Sequence, residues 1–188
     1  MKQKGLTLVE LLTAVSILVL ITTFAVPNFS RFQERISYDK TRNHWLTFLK
    51  TGRANAISLQ ATITACPFDF LNNHCSDNLN NDWLMFIDDN KNKKLDINEE
   101  SIQVLMLDDK TSIRFYPKDR KYIRFYNKPS GLNAGLMTGL TICPHGVPDV
   151  SSVHIKINIM GRVRSSTSRD SKGVIFRESG AKRFPIKC

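Results

Sequence analysis

Two arginines separated by one valine, in Gly161-Arg162-Val163-Arg164, are well suited to chemistry at a surface. On an extended strand alternate side chains share a face, so Arg162 and Arg164 project together, about 6.6–6.8 Å apart, while Val163 turns to the core. That spacing is on the scale of successive phosphates along a nucleic-acid strand. A guanidinium fork binds phosphate oxygens bidentately, which an ammonium does not. Gly161 lets the backbone turn tightly and approach a ligand. Arg169, Lys172 and Arg177 follow, and would add phosphate contacts if their Ser-rich loop folds over the strand. Without a ligand, the same arginines serve to guard a strand edge against pairing with another chain.

A second pattern lies in WLMFIDDNKNKKLDINEE. Asp88, Asn90, Asn92, the Lys94 carbonyl, Asp96 and Glu99 take the first, third, fifth, seventh, ninth and twelfth places of a calcium loop. Oxygens at alternate positions are what a hard cation needs. Lys93, however, stands at the sixth place, where Gly makes the sharp turn, and three lysines offset the acids. We therefore expect no metal, with this loop as the minor alternative. The histidines (His44, His74, His145, His154) are scattered, and no nucleophile–base pair or phosphate-cradling glycine loop occurs. An enzyme is not expected, nor is a cofactor. Aromatic residues with interleaved arginines, Arg114 and Arg124 beside Phe115–Tyr116 and Phe125–Tyr126, suggest base stacking less than core packing.

These residues must be positioned by what precedes them. From Leu6 to Val26 runs an apolar stretch with one charge, Glu10, preceded by Lys2, Lys4 and Gly5. As a helix it rises about 30 Å, enough to cross the hydrocarbon core of a bilayer. A carboxylate inside such a run costs roughly 2.5–3.5 kcal/mol on insertion scales, so Glu10 needs a reason to be there. The leader lysines place that end in the cytoplasm. The chain carries a formal charge of +10, which favours anionic partners. The charge is unevenly spread: residues 82–109 hold eight acids against three lysines, whereas 110–128 and 161–188 are strongly basic. Four cysteines, Cys66, Cys75, Cys143 and Cys188, lie beyond the apolar stretch. In an exported domain an even count reads as two disulfides. Of the three possible pairings we prefer Cys66–Cys75, closing a short loop, with Cys143–Cys188 pinning the C-terminus. No C-x-x-C or H-x-x-x-H spacing supports zinc.

After Pro27 an amphipathic pattern continues, with Phe29, Phe32, Ile36, Trp45, Leu49, Gly52, Ala56 and Leu59 on one stripe. It predicts a helix to about Leu59, gently kinked near Pro27 and frayed or bent over the polar stretch Ser37 to His44. From Gln60 the signals are β: Ala61–Cys66, Trp83–Ile87, Ile102–Leu107, Ile113–Tyr116, Tyr122–Tyr126, Leu140–Cys143 and the alternating Val153–Ile159, with a turn near Met160–Gly161. Ser165–Lys172 reads as mobile. The fold class is α+β, a long N-terminal helix packed against a β-rich globular domain of antiparallel sheets. The expected division is a basic segment 1–5, a transmembrane helix 6–27, its amphipathic continuation 28–60, and a β-rich domain 61–188 with a basic C-terminal tail.

The N-terminus resembles the type IV prepilin signature: a short basic leader ending in Gly, an apolar helix with Glu fifth, and Pro twenty-second. Cleavage after Gly5 makes Leu6 the first mature residue, where Phe is usual, and puts Glu10 fifth and Pro27 twenty-second. W-x-x-F-x-D-x-N and the Gly161–Arg164 tetrapeptide resemble the GspH/FimT-like branch of minor pilins. That resemblance implies cleavage by prepilin peptidase, N-methylation of Leu6, and Glu10 pairing with a neighbouring subunit's N-terminal amine. It implies other major and minor pilins as partners, and a path from the inner membrane, with the domain periplasmic, to the pilus, near its tip. It also implies DNA binding during natural transformation through Gly161, Arg162 and Arg164, with no sequence preference. The alternative is a GspH-like pseudopilin of a type II secretion system, or an assembly-priming minor pilin that does not bind DNA. Adhesion to acidic polysaccharide would use the same arginines.

Overall fold

A computed structural model of the protein describes residues 7–107, 111–126, 137–144, 152–166, 176–179 and 182–185. The chain forms two compact units, 1–39 and 40–188. One helix, α1 (Leu8–Ser58), supplies the described secondary structure of the first unit and opens the second. It begins at a capping box. Thr7 N and Oγ1 each donate to Glu10 Oε2 at 3.0 Å, and Glu10 N donates to Thr7 Oγ1 at 3.3 Å. These bonds satisfy first-turn amides that have no partner within the helix. The expected fraying over Ser37–His44 is not found: α1 runs through that stretch unbroken. The stretch is polar but holds neither Gly nor Pro, so nothing in it interrupts the backbone ladder.

In the first unit the described apolar side chains, among them Leu8, Leu11, Leu12, Val15, Leu18 and Ile21, are exposed. The hydroxyls are exposed too, but they bond to the carbonyls of their own helix. Thr13, Ser16, Thr22 and Thr23 donate to the carbonyls of Glu10, Leu12, Val19 and Leu20 at 2.7–3.0 Å. Polar groups satisfied within the helix and apolar groups facing out suit apolar surroundings. Among the described residues no helix is long and apolar enough to cross a membrane.

In the second unit α1 buries Trp45, Phe48, Leu49, Gly52 and Ala56, a stripe at helical spacing. A Cβ on Gly52 would lie 2.8 Å from Met85 Cε and 3.0 Å from Phe125 Cε2, so glycine permits the close approach. Eleven strands follow among the described residues: β1 (Ile63–Asp69), β2 (His74–Cys75), β3 (Trp83–Ile87), β4 (Ser101–Leu105), β5 (Thr111–Tyr116), β6 (Ile123–Phe125), β7 (Thr138–Pro144), β8 (Val153–Ile157), β9 (Val163–Ser165), β10 (Phe176–Ser179) and β11 (Lys182–Pro185). All described pairings are antiparallel. The first sheet has the order β2-β1-β3-β4 with β6 also on β1, the second β5-β7-β8-β9, and β10 and β11 form a separate hairpin.

Trp83 ties these layers together. Its ring meets Trp45 of α1 edge-on at 5.1 Å and stacks on Phe115 of the second sheet at 5.7 Å, 9° from parallel. Such aromatic pairs add about 0.5–1.5 kcal/mol each beyond the area they bury. The expected α+β class holds. Several boundaries move. The first strand spans Ile63–Asp69 rather than Ala61–Cys66, and β8 stops at Ile157 because Asn158 starts the turn. β2 and the β10–β11 hairpin are additional to the strands expected. Cys66 and Cys75 form a disulfide, as preferred from the sequence. Cys143 is also disulfide-bonded, while Cys188 lies outside the described residues.

Candidate nucleic-acid interface

The two arginines stand on the hairpin of β8 and β9, and one asparagine shapes its turn. Asn158 Oδ1 accepts from Met160 N at 3.1 Å and Arg162 N at 2.8 Å, and Gly161 N donates to Asn158 O at 2.9 Å. Asn158 N closes the loop on Arg162 O at 3.2 Å. Gly161 has φ 68°, the left-handed conformation that ends a three-residue hairpin loop and that a side chain disfavours. The geometry favours glycine here, as its place before the arginines suggested.

Beyond the turn Arg162 and Arg164 are exposed and Val163 is buried. The expected alternation is therefore present, although Arg162 immediately precedes β9 rather than lying in it. Register adds a residue the sequence reading did not select. Lys156 pairs directly with Arg164 across the β8–β9 ladder, so the two side chains share a face. Lys156 was read only as an outward position of an alternating strand. Counting back across the Ile159–Gly161 loop would have placed it opposite Arg164.

The same rung continues through Gly139 of β7 to Tyr116 of β5, and the next rung on that face joins Arg114, Thr141 and His154. Arg114 and Tyr116 are exposed, whereas His154 is buried with Nδ1 2.9 Å from Thr141 Oγ1. A Cβ on Gly139 would come within 3.0 Å of the His154 ring. His154 is thus a packed, hydrogen-bonded core histidine. Arg177 falls in β10, paired with Phe184, while Arg169 and Lys172 lie outside the described residues, as do Gly5 and Leu6.

The carboxylates of the acidic loop after β3 are hydrogen-bonded within the protein. Asp88 is buried and directs Oδ2 to Arg124 Nη2 at 2.7 Å. Asp96 Oδ2 accepts the side-chain amides of Asn90 and Asn92, both at 2.7 Å. These two amides, Asn90 foremost, hold the Asp96 carboxyl below the usual carboxylate range. Glu99 accepts the backbone amides of Asp89 and Asp96 at 3.2 Å. Among the described residues no cluster of three His, Cys, Asp or Glu side chains suits a metal ion. Lys93, at the place where a calcium loop has Gly, adopts φ 63° nevertheless.

Residues 41–161, which take in the acidic loop and the hairpin turn, match the family described as Type II transport protein GspH. The chain belongs to this family. Residues 1–26 match the prokaryotic N-terminal methylation motif, which brings prepilin processing and pilin partners with it. Among solved structures, this GspH-family pilin is similar to the type IV minor pilin FimU of Pseudomonas aeruginosa strain PAO1 in two crystal forms. Both comparisons give a TM-score of 0.50 at 12% identity, covering 71% and 80% of this chain and 90% and 98% of the FimU chains. At that identity the likeness bears on the fold. No curated protein matches the sequence. The GspH-family protein is therefore a minor pilin or pseudopilin in kind, with its methylation motif on the helix expected to anchor it.

Proposed function

We propose that this minor pilin binds extracellular DNA through the β8–β9 hairpin, without sequence preference, during DNA uptake. One observation carries the reading: Arg162 and Arg164 are exposed on either side of buried Val163, with Lys156 across the ladder from Arg164. Three cations in that arrangement offer a short phosphate track, and phosphate contacts carry no base information. Arg169, Lys172 and Arg177 follow in the sequence and would add phosphate contacts if that segment meets the same strand. In this reading the leader is removed after Gly5, Leu6 is N-methylated, and Glu10 pairs with a neighbour's terminal amine. The protein passes from the inner membrane, with its domain periplasmic, into the pilus near the tip.

The test uses the full chain in uncharged detergent micelles, with fluorescence anisotropy on 30-bp duplexes of unrelated sequence. Three phosphate contacts give a salt slope near −2.7, so affinity should fall about 40-fold between 50 and 200 mM salt. Duplexes of different sequence should bind alike. The Arg162→Gln/Arg164→Gln variant should lose most of the binding and about 1.8 of the slope. Absence of wild-type binding at low salt rejects the receptor reading. The second reading would then lead, a pseudopilin of a type II secretion system that binds only other pilins. The family match over 41–161 favours it equally.

A further inference from the structure

The turn that aims the arginines has an apex the phosphate track does not use. Ile159 and Met160 fill it, between Asn158 and Gly161, and are 48% and 52% exposed. Met137 is 58% exposed at the same end of the second sheet, one residue before Thr138, which pairs with Ile157. Tight turns are ordinarily built from Gly, Asn, Asp, Ser and Pro, and their tips face water. Here two of the three loop residues are large and apolar. Phosphates offer such side chains nothing, whereas covering them is favourable in proportion to the apolar area removed from water.

The apex is held in place from below. Asn158 Oδ1 accepts both Met160 N and Arg162 N, and the Asn158 backbone closes the loop on Gly161 and Arg162. Arg162 follows Met160 by two residues and Arg164 by four, and both arginines are exposed. An apolar tip on a fixed turn, with cations on its flank, suits a partner that is anionic outside and apolar within. Stacked bases behind a phosphate backbone have that construction. Ile and Met are among the side chains that wedge between base steps, unstacking them in part and kinking the duplex. A flat acidic surface of protein or polysaccharide would satisfy the arginines but leave the apex in water.

We propose that Ile159 and Met160 form a wedge that enters the base stack of DNA held by Arg162 and Arg164, so that the hairpin prefers sites where bases unstack easily. The inference rests on the DNA reading above and adds to it a contact with bases rather than phosphates. It asks for no particular base. What the wedge reads is the cost of unstacking, which is lowest at mismatched, damaged or single-stranded positions and, within intact duplex, at pyrimidine–purine steps. Ordinary duplexes contain such steps, so unrelated sequences still bind alike.

The test uses the full chain in uncharged micelles and anisotropy on a pair of 30-bp duplexes that differ only in a central tandem T·T mismatch. The wild type should bind the mismatched duplex about fivefold more tightly, since part of the unstacking cost is already met there. Ile159→Ser/Met160→Ser keeps Asn158, Gly161 and every cation, and both side chains are half exposed, so the melting temperature should hold. This variant should bind the two duplexes alike, with the salt slope unchanged. A 2-aminopurine beside the mismatch should brighten when the wild type binds and stay dark with the serine variant. A wild type without preference, or a serine variant that keeps it, overturns the wedge. Loss of the serine variant from sheared pili would then assign the apex to a neighbouring pilin. Failure of the DNA reading shows separately, as intact-duplex binding that is absent or indifferent to Arg162 and Arg164, and the wedge falls with it.

Discussion

Arg124 Nη2 donates to Asp88 Oδ2 at 2.7 Å, and both side chains are buried. Arg124 Nε donates to Thr64 Oγ1 at 2.9 Å, Thr64 Oγ1 donates to Asp88 Oδ2 at 2.6 Å, and a further Arg124 bond reaches Lys91 O at 3.2 Å. One guanidinium thereby fastens the loop after β3 to β1 and β6. Removing one partner of a buried pair leaves a charge without compensation and costs about 3–5 kcal/mol. Arg124→Met should therefore lower the melting temperature by roughly 6–20 °C, at about 2–4 °C per kcal/mol for a chain of this size. The Asp88→Leu/Arg124→Met double variant should recover much of the loss, because no charge is then stranded. Circular dichroism melts check both; a single variant melting like the wild type would show that the pair is not structural.

The arginine hairpin depends on its turn as well as on its charges. An alanine at Gly161 places a Cβ on a backbone with φ 68°, at a cost of roughly 1–2 kcal/mol. Gly161→Ala should thus weaken duplex binding although every cation remains. Gly161→Asn should weaken it less, since Asn visits that region more readily. Asn158→Ala removes the acceptor of two amides and should behave like Gly161→Ala. Anisotropy titrations with parallel melts check this, and equal binding by all three variants would remove the turn from the account.

What was legible in the sequence was local. Alternation exposed Arg162 and Arg164, glycine marked the turn before them, and the compact run Trp83–Ile87 became β3 without adjustment. Of the helical stripe expected from Phe29 to Leu59, Trp45, Leu49, Gly52 and Ala56 are buried in the second unit, whereas Phe29, Phe32, Ile36 and Leu59 are exposed. Partners distant in sequence were not legible. Nothing near Asp88 announces Arg124, because their meeting depends on β6 lying beside β1. The fold likewise brings Lys93 to Tyr122, which Arg120 and Arg124 flank at alternate positions of their own segment. Glu10 is a different case. Thr7-Leu8-Val9-Glu10 is a capping-box pattern visible in the sequence, but the cost of a carboxylate in an apolar run directed attention to assembly alone.

Asp96 should respond to acid in a defined direction. The Asn90 and Asn92 amides lower its folded-state pKa below the unfolded value near 3.9. A depressed carboxylate contributes stability above its unfolded pKa, and that contribution is lost as pH falls through the folded value. Asn90→Ala removes the leading cause and should move the Asp96 titration upward, towards the ordinary range. Carbon-detected carboxyl NMR across pH 2–6 reads this directly. A midpoint that stays in place on removing Asn90 would mean the amide contact does not persist in solution.

Glu10 has two separable roles, and the choice of substitution separates them. The capping box needs an acceptor at this position, which Gln supplies as well as Glu. Pairing with a neighbour's terminal amine needs the negative charge, which Gln lacks. Glu10→Gln should therefore keep α1 intact in micelles while abolishing incorporation into pili. Glu10→Ala should lose both, with the helix start weakened because the Thr7 amide loses its acceptor. Helicity by circular dichroism and pilin content of sheared pili give the two readouts. If Glu10→Gln is incorporated like the wild type while Glu10→Ala is not, the carboxylate acts through Thr7 as a cap, and assembly depends on where the helix begins rather than on the charge.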